Sequence, residues 1–157
     1  MKYTIAVAMV CSLLGACASD RVGFDAPTGL DAGNGMAVTM DEFRRLEGDN
    51  WEGSLSYLNY DSDKRSTIPG EDQHNAKERL KLSSDGTRIN GYLITNREQT
   101  TGGTLILTTE GRGQDDNRSA EVQVIYKVAE DRFSIRKNVR FKSSEAYINR
   151  NEYSLRR

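Results

Sequence analysis

The stretch Glu121-Val122-Gln123-Val124-Ile125-Tyr126-Lys127-Val128 decides the fold. Val122, Val124, Tyr126 and Val128 alternate with Glu121, Gln123 and Lys127, and only Ile125 interrupts the polar set. A period of two puts successive side chains on opposite faces of an extended chain, so this is a strand with one face buried and the other wet. On its C-terminal side, Glu130-Asp131 turns the chain into a second strand carrying Phe133, Ile135, Val139 and Phe141. The last strand holds Tyr147, Tyr153 and Leu155, with Arg150, Glu152 and Arg156 opposite. On its N-terminal side, Gly111 to Ser119 is expected to be a polar loop. Before it, Arg88 to Thr95 and Thr104 to Glu110 form two strands separated by a loop ending in Gly102-Gly103.

The pattern recurs toward the front of the chain. Leu80 and Leu82 face one way and Arg79 and Lys81 the other, ahead of Ser83-Ser84-Asp85-Gly86, a turn with glycine available for a positive φ. Trp51, Gly53, Leu55 and Tyr57 share one face of an extended segment, with Glu52, Ser54 and Ser56 on the other. Just upstream, Thr39 and Glu42 have the spacing of a capping box, and Met40, Phe43 and Leu46 fall at helical intervals, which predicts a short helix over Met40 to Leu46. The whole is an all-β domain of about seven to eight strands, a single antiparallel up-and-down meander preceded by a short helix, closed into a barrel or folded as a sandwich. Closure removes unpaired edges, and a barrel of about eight strands either fills with side chains or holds one small ligand.

The helix followed by Gly48-Asp49-Asn50-Trp51-Glu52-Gly53 at the start of the first strand, the up-and-down order and the arginines of the last strand resemble the lipocalin and calycin barrels. The resemblance covers Thr39 to Arg157. It implies that Trp51 packs across the closed end of the barrel and that an arginine of the final strand, Arg150 or Arg156, lies over its ring. In such a barrel Trp51, Leu55, Tyr57, Leu105 and Tyr126 would line an internal pocket.

With 157 residues, 36% hydrophobic and 29% charged, the chain has room for one globular domain. The formal charge is −1 and the signs are interspersed, so no basic stripe exists to neutralise a phosphate backbone, and nucleic acid is not an expected partner.

The N-terminus is an address. Met1 and Lys2 supply a positive start, Ile5 to Leu14 an apolar stretch of signal-peptide length, and small residues follow. Leu14-Gly15-Ala16-Cys17 resembles the lipobox of bacterial lipoproteins, which implies cleavage before Cys17 and a lipid on its sulfur. Two or three acyl chains anchor stably where one binds only marginally. Ala16-Cys17-Ala18 also fits an ordinary signal-peptidase site that would free a soluble protein starting at Ser19. The cysteine count favours lipidation: Cys11 and Cys17 are the only two, and the domain beyond has no thiol for a disulfide or a nucleophile. Residues 1–16 are thus expected to be a signal peptide, 17–38 a lipidated and Gly-containing tether, and 39–157 the β domain. Ala18 stands where aspartate would favour inner-membrane retention, so the expected location is the outer membrane, facing the periplasm.

Chemistry is sparse. His74 is the only histidine; with Glu71, Asp72 and Asn75 it forms no recognisable metal spacing. Gln114-Asp115-Asp116-Asn117 lacks the calcium-loop pattern and is expected to be an acidic surface loop. Asp61 with Asp63 and Glu71 with Asp72 are paired carboxylates with no base or nucleophile beside them. Tyr57, Tyr60, Tyr92, Tyr126, Tyr147 and Tyr153 either line a pocket or pack a core and its rim. Lys137 falls on the face of Ile135 and Val139, marking a bulge, the rim or a charge toward a cavity. No catalytic residue, metal ligand or cofactor is assigned. Two functions lead, a lipid-anchored binding or accessory module for a small apolar ligand or an envelope partner, and a structural or interaction lipoprotein with a solid barrel; an enzyme comes third, because no nucleophile, base and orienting group assemble from the sequence.

Overall fold

The computed structural model describes residues 36–47, 51–70, 80–143 and 145–157. The first element, α1 (Met40–Arg44), starts as its capping box dictates: Thr39 Oγ1 accepts from Glu42 N at 3.3 Å while Thr39 N donates to Glu42 Oε2 at 3.0 Å. Phe43 and Leu46 bury its apolar side, and Val38, just before it, is buried too and donates its N–H to the Gly86 carbonyl at 2.9 Å.

Eight strands follow: β1 (Glu52–Asn59), β2 (Lys64–Gly70), β3 (Arg88–Ile89), β4 (Tyr92–Gln99), β5 (Leu105–Asp115), β6 (Arg118–Val128), β7 (Arg132–Arg140) and β8 (Ile148–Arg156). They form one antiparallel sheet in the order β2-β1-β8-β7-β6-β5-β4-β3. The meander is as the alternation predicts, but the ring is incomplete. β1 pairs with β8, which brings the first strand against the last, whereas no ladder joins β2 to β3 among the described residues, so the sheet is not a closed barrel.

The strand boundaries differ from expectation in three places. The segment from Arg88 to Thr95 is two strands, because Asn90 and Gly91 take φ of 51° and 84° and make a two-residue hairpin turn. The expected polar loop from Gly111 to Ser119 is ladder instead: β5 continues to Asp115 and β6 begins at Arg118, with Asp116 and Asn117 at φ 53° and 57° as the turn. β2, whose Lys64, Arg65 and Pro69 give no alternation, was not expected as a strand, and it lies on a free edge where proline and charge are tolerated.

Cross-strand registers stack the inner-face residues into rungs. One contains Gly53, Leu155, Phe133, Val128 and Leu105, of which the last four are at most 2% exposed. Trp51 caps this end, its ring 5.7 Å from that of Phe133. The joint between β1 and β8 depends on Gly53, since a Cβ there would fall 1.9 Å from the Ser154 carbonyl oxygen. Gly53→Ala must therefore shift a backbone that is paired on both sides. We expect it to cost about 2 kcal/mol of stability, the scale of overpacking, seen as a lowered urea midpoint; an unchanged midpoint would mean that the joint yields freely.

Candidate functional site

Two features of the inner face stand out: an apolar rung that runs from full burial to open exposure, and a buried carboxylate at the end opposite Trp51. The rung follows the register Leu107, Tyr126, Ile135, Tyr153, Leu55, Ile68 across six strands. Leu107 and Tyr126 are 0% and 2% exposed, Ile135, Tyr153 and Leu55 are half-buried, and Ile68 is 47% exposed. The core is thus tight under β4 to β7 and opens toward β1 and β2. Helix α1 is tied to the tight side, because Arg97 of β4 ion-pairs with Glu42.

The residues expected to line a pocket divide along this gradient. Trp51, Leu105 and Tyr126 belong to the buried core cluster, while Leu55 and Tyr57 are half-buried on β1. Among the described residues the Trp51 Nε1 hydrogen finds no acceptor, and the guanidinium carbon of Arg157 sits 4.6 Å from the Trp51 ring centroid. The arginine over the tryptophan is therefore Arg157, whose Nε donates to the Glu130 carbonyl at 2.7 Å, and neither Arg150 nor Arg156. Arg156 is exposed on the outer face, and Arg150 is at the far end of the sheet.

That far end is organised by Asp115, 8% exposed. It continues the inner-face series Leu105, Leu107, Thr109, Gly111, Gly113 of β5. Its carboxylate accepts from Tyr60 Oη at 2.7 Å, Lys137 Nζ at 2.8 Å and Arg150 Nε at 3.1 Å. One side chain thereby joins the β1–β2 turn, β5, β7 and β8. Arg150 reaches it because of a bulge: Lys137 pairs with Asn151 and Asn138 with Asn149, so Arg150 has no partner in the ladder and leaves the outer-face position expected for it. Arg150 also donates to the Leu58 carbonyl and lies 4.4 Å from the Tyr60 ring centroid. Arg118 covers the same end, 3.7 Å over Phe141 and 5.4 Å from Tyr60. Tyr92 packs directly on β5, where a Cβ at Gly111 or Gly113 would fall 2.5 Å or 2.7 Å from its ring carbon or hydroxyl.

Electrostatics hold the cluster in one protonation state. Burial works to raise the pKa of Asp115, but hydrogen bonds from Lys137 and Tyr60 and the charges of Lys137 and Arg150 outweigh it and keep the carboxyl below its usual range. Desolvation, and then the Asp115 hydrogen bond and charge, push the Tyr60 phenol up to about 12. Burial raises Tyr126 as well. These directions keep the Asp115 carboxylate ionised and the two phenols protonated near neutral pH. Their arrangement is a clamp.

Lys137 is thus a buried-facing cation with a partner, followed by a bulge. The expectation of an acidic surface loop over residues 114–117 is corrected for Asp115, which the continuing two-residue phase of β5 could have revealed. Asp61 is exposed in the turn before β2, as is Asp63, whose φ is 51°. Among the described residues no three His, Cys, Asp or Glu side chains gather to hold a metal. Cys11, Cys17, Glu71, Asp72, His74 and Asn75 lie outside the described residues.

The fold and the clamp define an eight-stranded up-and-down β domain with a partly open inner face. No family model, curated protein or solved structure matches the chain.

Removing the hub tests it. Asp115→Ala leaves Lys137 and Arg150, each about one quarter exposed, without their carboxylate. The expected cost is about 2 kcal/mol, below the value for a fully buried pair because solvent reaches both cations. The folded pKa of Asp115 is depressed, so its stabilisation is complete above the unfolded value near 3.9 and is lost as pH falls through the folded one. Denaturation midpoints should accordingly fall more steeply below about pH 4 in the wild type than in Asp115→Asn. Parallel pH profiles would contradict the clamp.

Proposed function

We propose that this chain is a bacterial envelope lipoprotein, anchored through a lipid on Cys17, whose β domain is a binding or accessory module for a small apolar ligand. The observation that carries the reading is the burial gradient from Leu107 to Ile68: among the described residues, apolar side chains on the inner face of β1, β2 and β8 are less covered than those of β5 and β6. Such a surface costs free energy in water, about 25 cal/mol for each Å² left wet, and an apolar ligand or the apolar part of an envelope partner would remove that cost. The calycin-like reading is supported by the β1–β8 pairing and by the cation over Trp51, and weakened by the missing β2–β3 ladder. The anchor rests on Leu14-Gly15-Ala16-Cys17 and the absence of any cysteine after it, and the outer membrane facing the periplasm rests on Ala18.

A second reading has an observation of its own. Trp51, Leu105 and Tyr126 are packed into the core, as a solid structural or interaction module requires.

Two measurements address the two halves of the proposal. The intact mass of the membrane-extracted protein should correspond to a chain starting at Cys17 plus acyl groups, and Cys17→Ala should lose that added mass and leave the membrane fraction. A mature N-terminus at Ser19 would remove the anchor from the reading. Native mass spectrometry of the extracted protein should show a bound apolar molecule that Leu55→Glu discharges while the thermal melt stays cooperative. If the wild type carries nothing and takes up no apolar fluorescent probe, the solid-module reading stands instead.

A further inference from the structure

The outer face of β6, β7 and β8 carries a concavity of about 300 Å³ at the Trp51 end of the domain, with Thr104, Lys127, Arg132, Ser134, Ser154 and Arg156 among its lining residues. Its shape follows from the register. Ser134 pairs with Lys127 on one side and Ser154 on the other, and Arg132 pairs with Arg156 in the neighbouring rung, so two arginines, a lysine and two serines share the lining with Ala129, Phe133 and Leu155.

The charges here are unspent. Like charges directly opposite each other in a ladder are destabilising, yet Arg132 faces Arg156. Among the described residues Lys127 and Arg156 make no ion pair and no side-chain hydrogen bond, although Glu52 is the ladder partner of Arg156 on β1. Arg132 has only Asp131, at 3.7 Å between two highly exposed side chains, a pair of little energetic weight. One rung-pair farther along the same face the opposite solution is used: Arg136 binds Glu152 through both Nε and Nη2, at 3.0 and 3.1 Å.

We propose that this concavity is a binding site for a phosphate group. A carboxylate has two coplanar oxygens and is satisfied by one guanidinium, whereas a tetrahedral phosphate presents several oxygens and up to two charges. Two guanidiniums and one ammonium supply the charge, and the hydroxyls of Thr104, Ser134 and Ser154 in the same lining supply further donors. Arg45, directly after α1, donates to the carbonyls of Gly103 and Val128, at 2.6 and 3.4 Å, which flank Thr104 and Ala129 of the concavity. The site therefore adjoins the end at which the chain enters the domain. The phosphate is that of a lipid headgroup or a free phosphate ion, and the two sources are separable. Its charged and hydroxyl residues lie on the outer-face phase of their strands, while Phe133 and Leu155 in the lining belong to the inner-face rung.

The test uses the full chain carrying Cys17→Ser, so that no acyl anchor contributes. Binding of inorganic phosphate is followed by calorimetry and by amide shifts at Ser134 and Ser154. Binding to vesicles is followed by sedimentation, comparing phosphatidylcholine alone with phosphatidylcholine containing phosphatidic acid. The double variant Lys127→Gln/Arg156→Gln should weaken binding at least about tenfold, the scale of one lost charge-assisted hydrogen bond. Lys64→Gln, the same loss of charge at the start of β2, should leave it unchanged. Saturable binding of inorganic phosphate with that pattern supports the site and assigns free phosphate as sufficient. Binding confined to phosphatidic acid vesicles, with the same pattern, supports it and assigns the headgroup. No binding to either probe, shifts elsewhere than Ser134 and Ser154, or an equal loss in Lys64→Gln overturns it.

Discussion

The ladder between β1 and β8 is the constraint on which the rest of the molecule depends. It joins Glu52–Tyr57 to Asn151–Arg156, residues about a hundred positions apart in sequence, and without it the sheet would be a meander with β1 and β2 detached from it. Contacts of such separation carry the largest loop-closure cost, so the ladder must be favoured by everything packed on it. Gly53 allows the close approach, and Leu155 opposite it enters the buried rung with Phe133 and Val128. Once β1 lies beside β8, Trp51 meets Phe133 and Arg157, and Tyr60 comes within reach of Asp115.

The two ends of the sheet are finished with different chemistry for the same purpose. At the helix end an apolar ring pair is covered by the Arg157 guanidinium, whose charge remains partly solvated and anchored to the Glu130 carbonyl. At the other end a single carboxylate gathers two cations and a phenol, an arrangement tolerated in a poorly hydrated place only because every charge has a partner. Between them the inner face is tight under β5 and β6 and loosens toward the β2 edge, and this asymmetry separates the domain from a uniformly filled barrel.

Much of the fold was legible because the signals were local. Thr39 and Glu42 are three residues apart, and the box they form is the one observed. Val122 to Val128 alternate in sequence because they alternate in space. The misses have physical causes too. Asn90-Gly91 is a strong hairpin signal, but β3 before it is only two residues long, too short to show an alternation of its own, so the expectation of one strand from Arg88 to Thr95 gives way to a turn that makes two. Gly111 and Gly113 resembled loop because glycine disfavours strands, yet here they give space to Tyr92. β2 carries no alternation because much of it is exposed at an edge. The candidate site is least legible: Asp115 is buried because β5 runs on past Gly111 and Gly113, and Arg150 turns inward because of a one-residue bulge, which no local pattern announces.

By itself the sequence determined what depends on near neighbours: the helix cap, the alternating strands and the antiparallel order that short turns enforce. Only the tertiary structure decided that β1 pairs with β8 while β2 and β3 stay apart, that Arg157 covers Trp51, and that Asp115 is a buried hub. It also decided that Arg132 and Arg156 face one another near Lys127, which makes no ion pair among the described residues. The reason is that register and closure are collective: they are set by the summed burial of many residues far apart in the chain, which no local window of sequence contains.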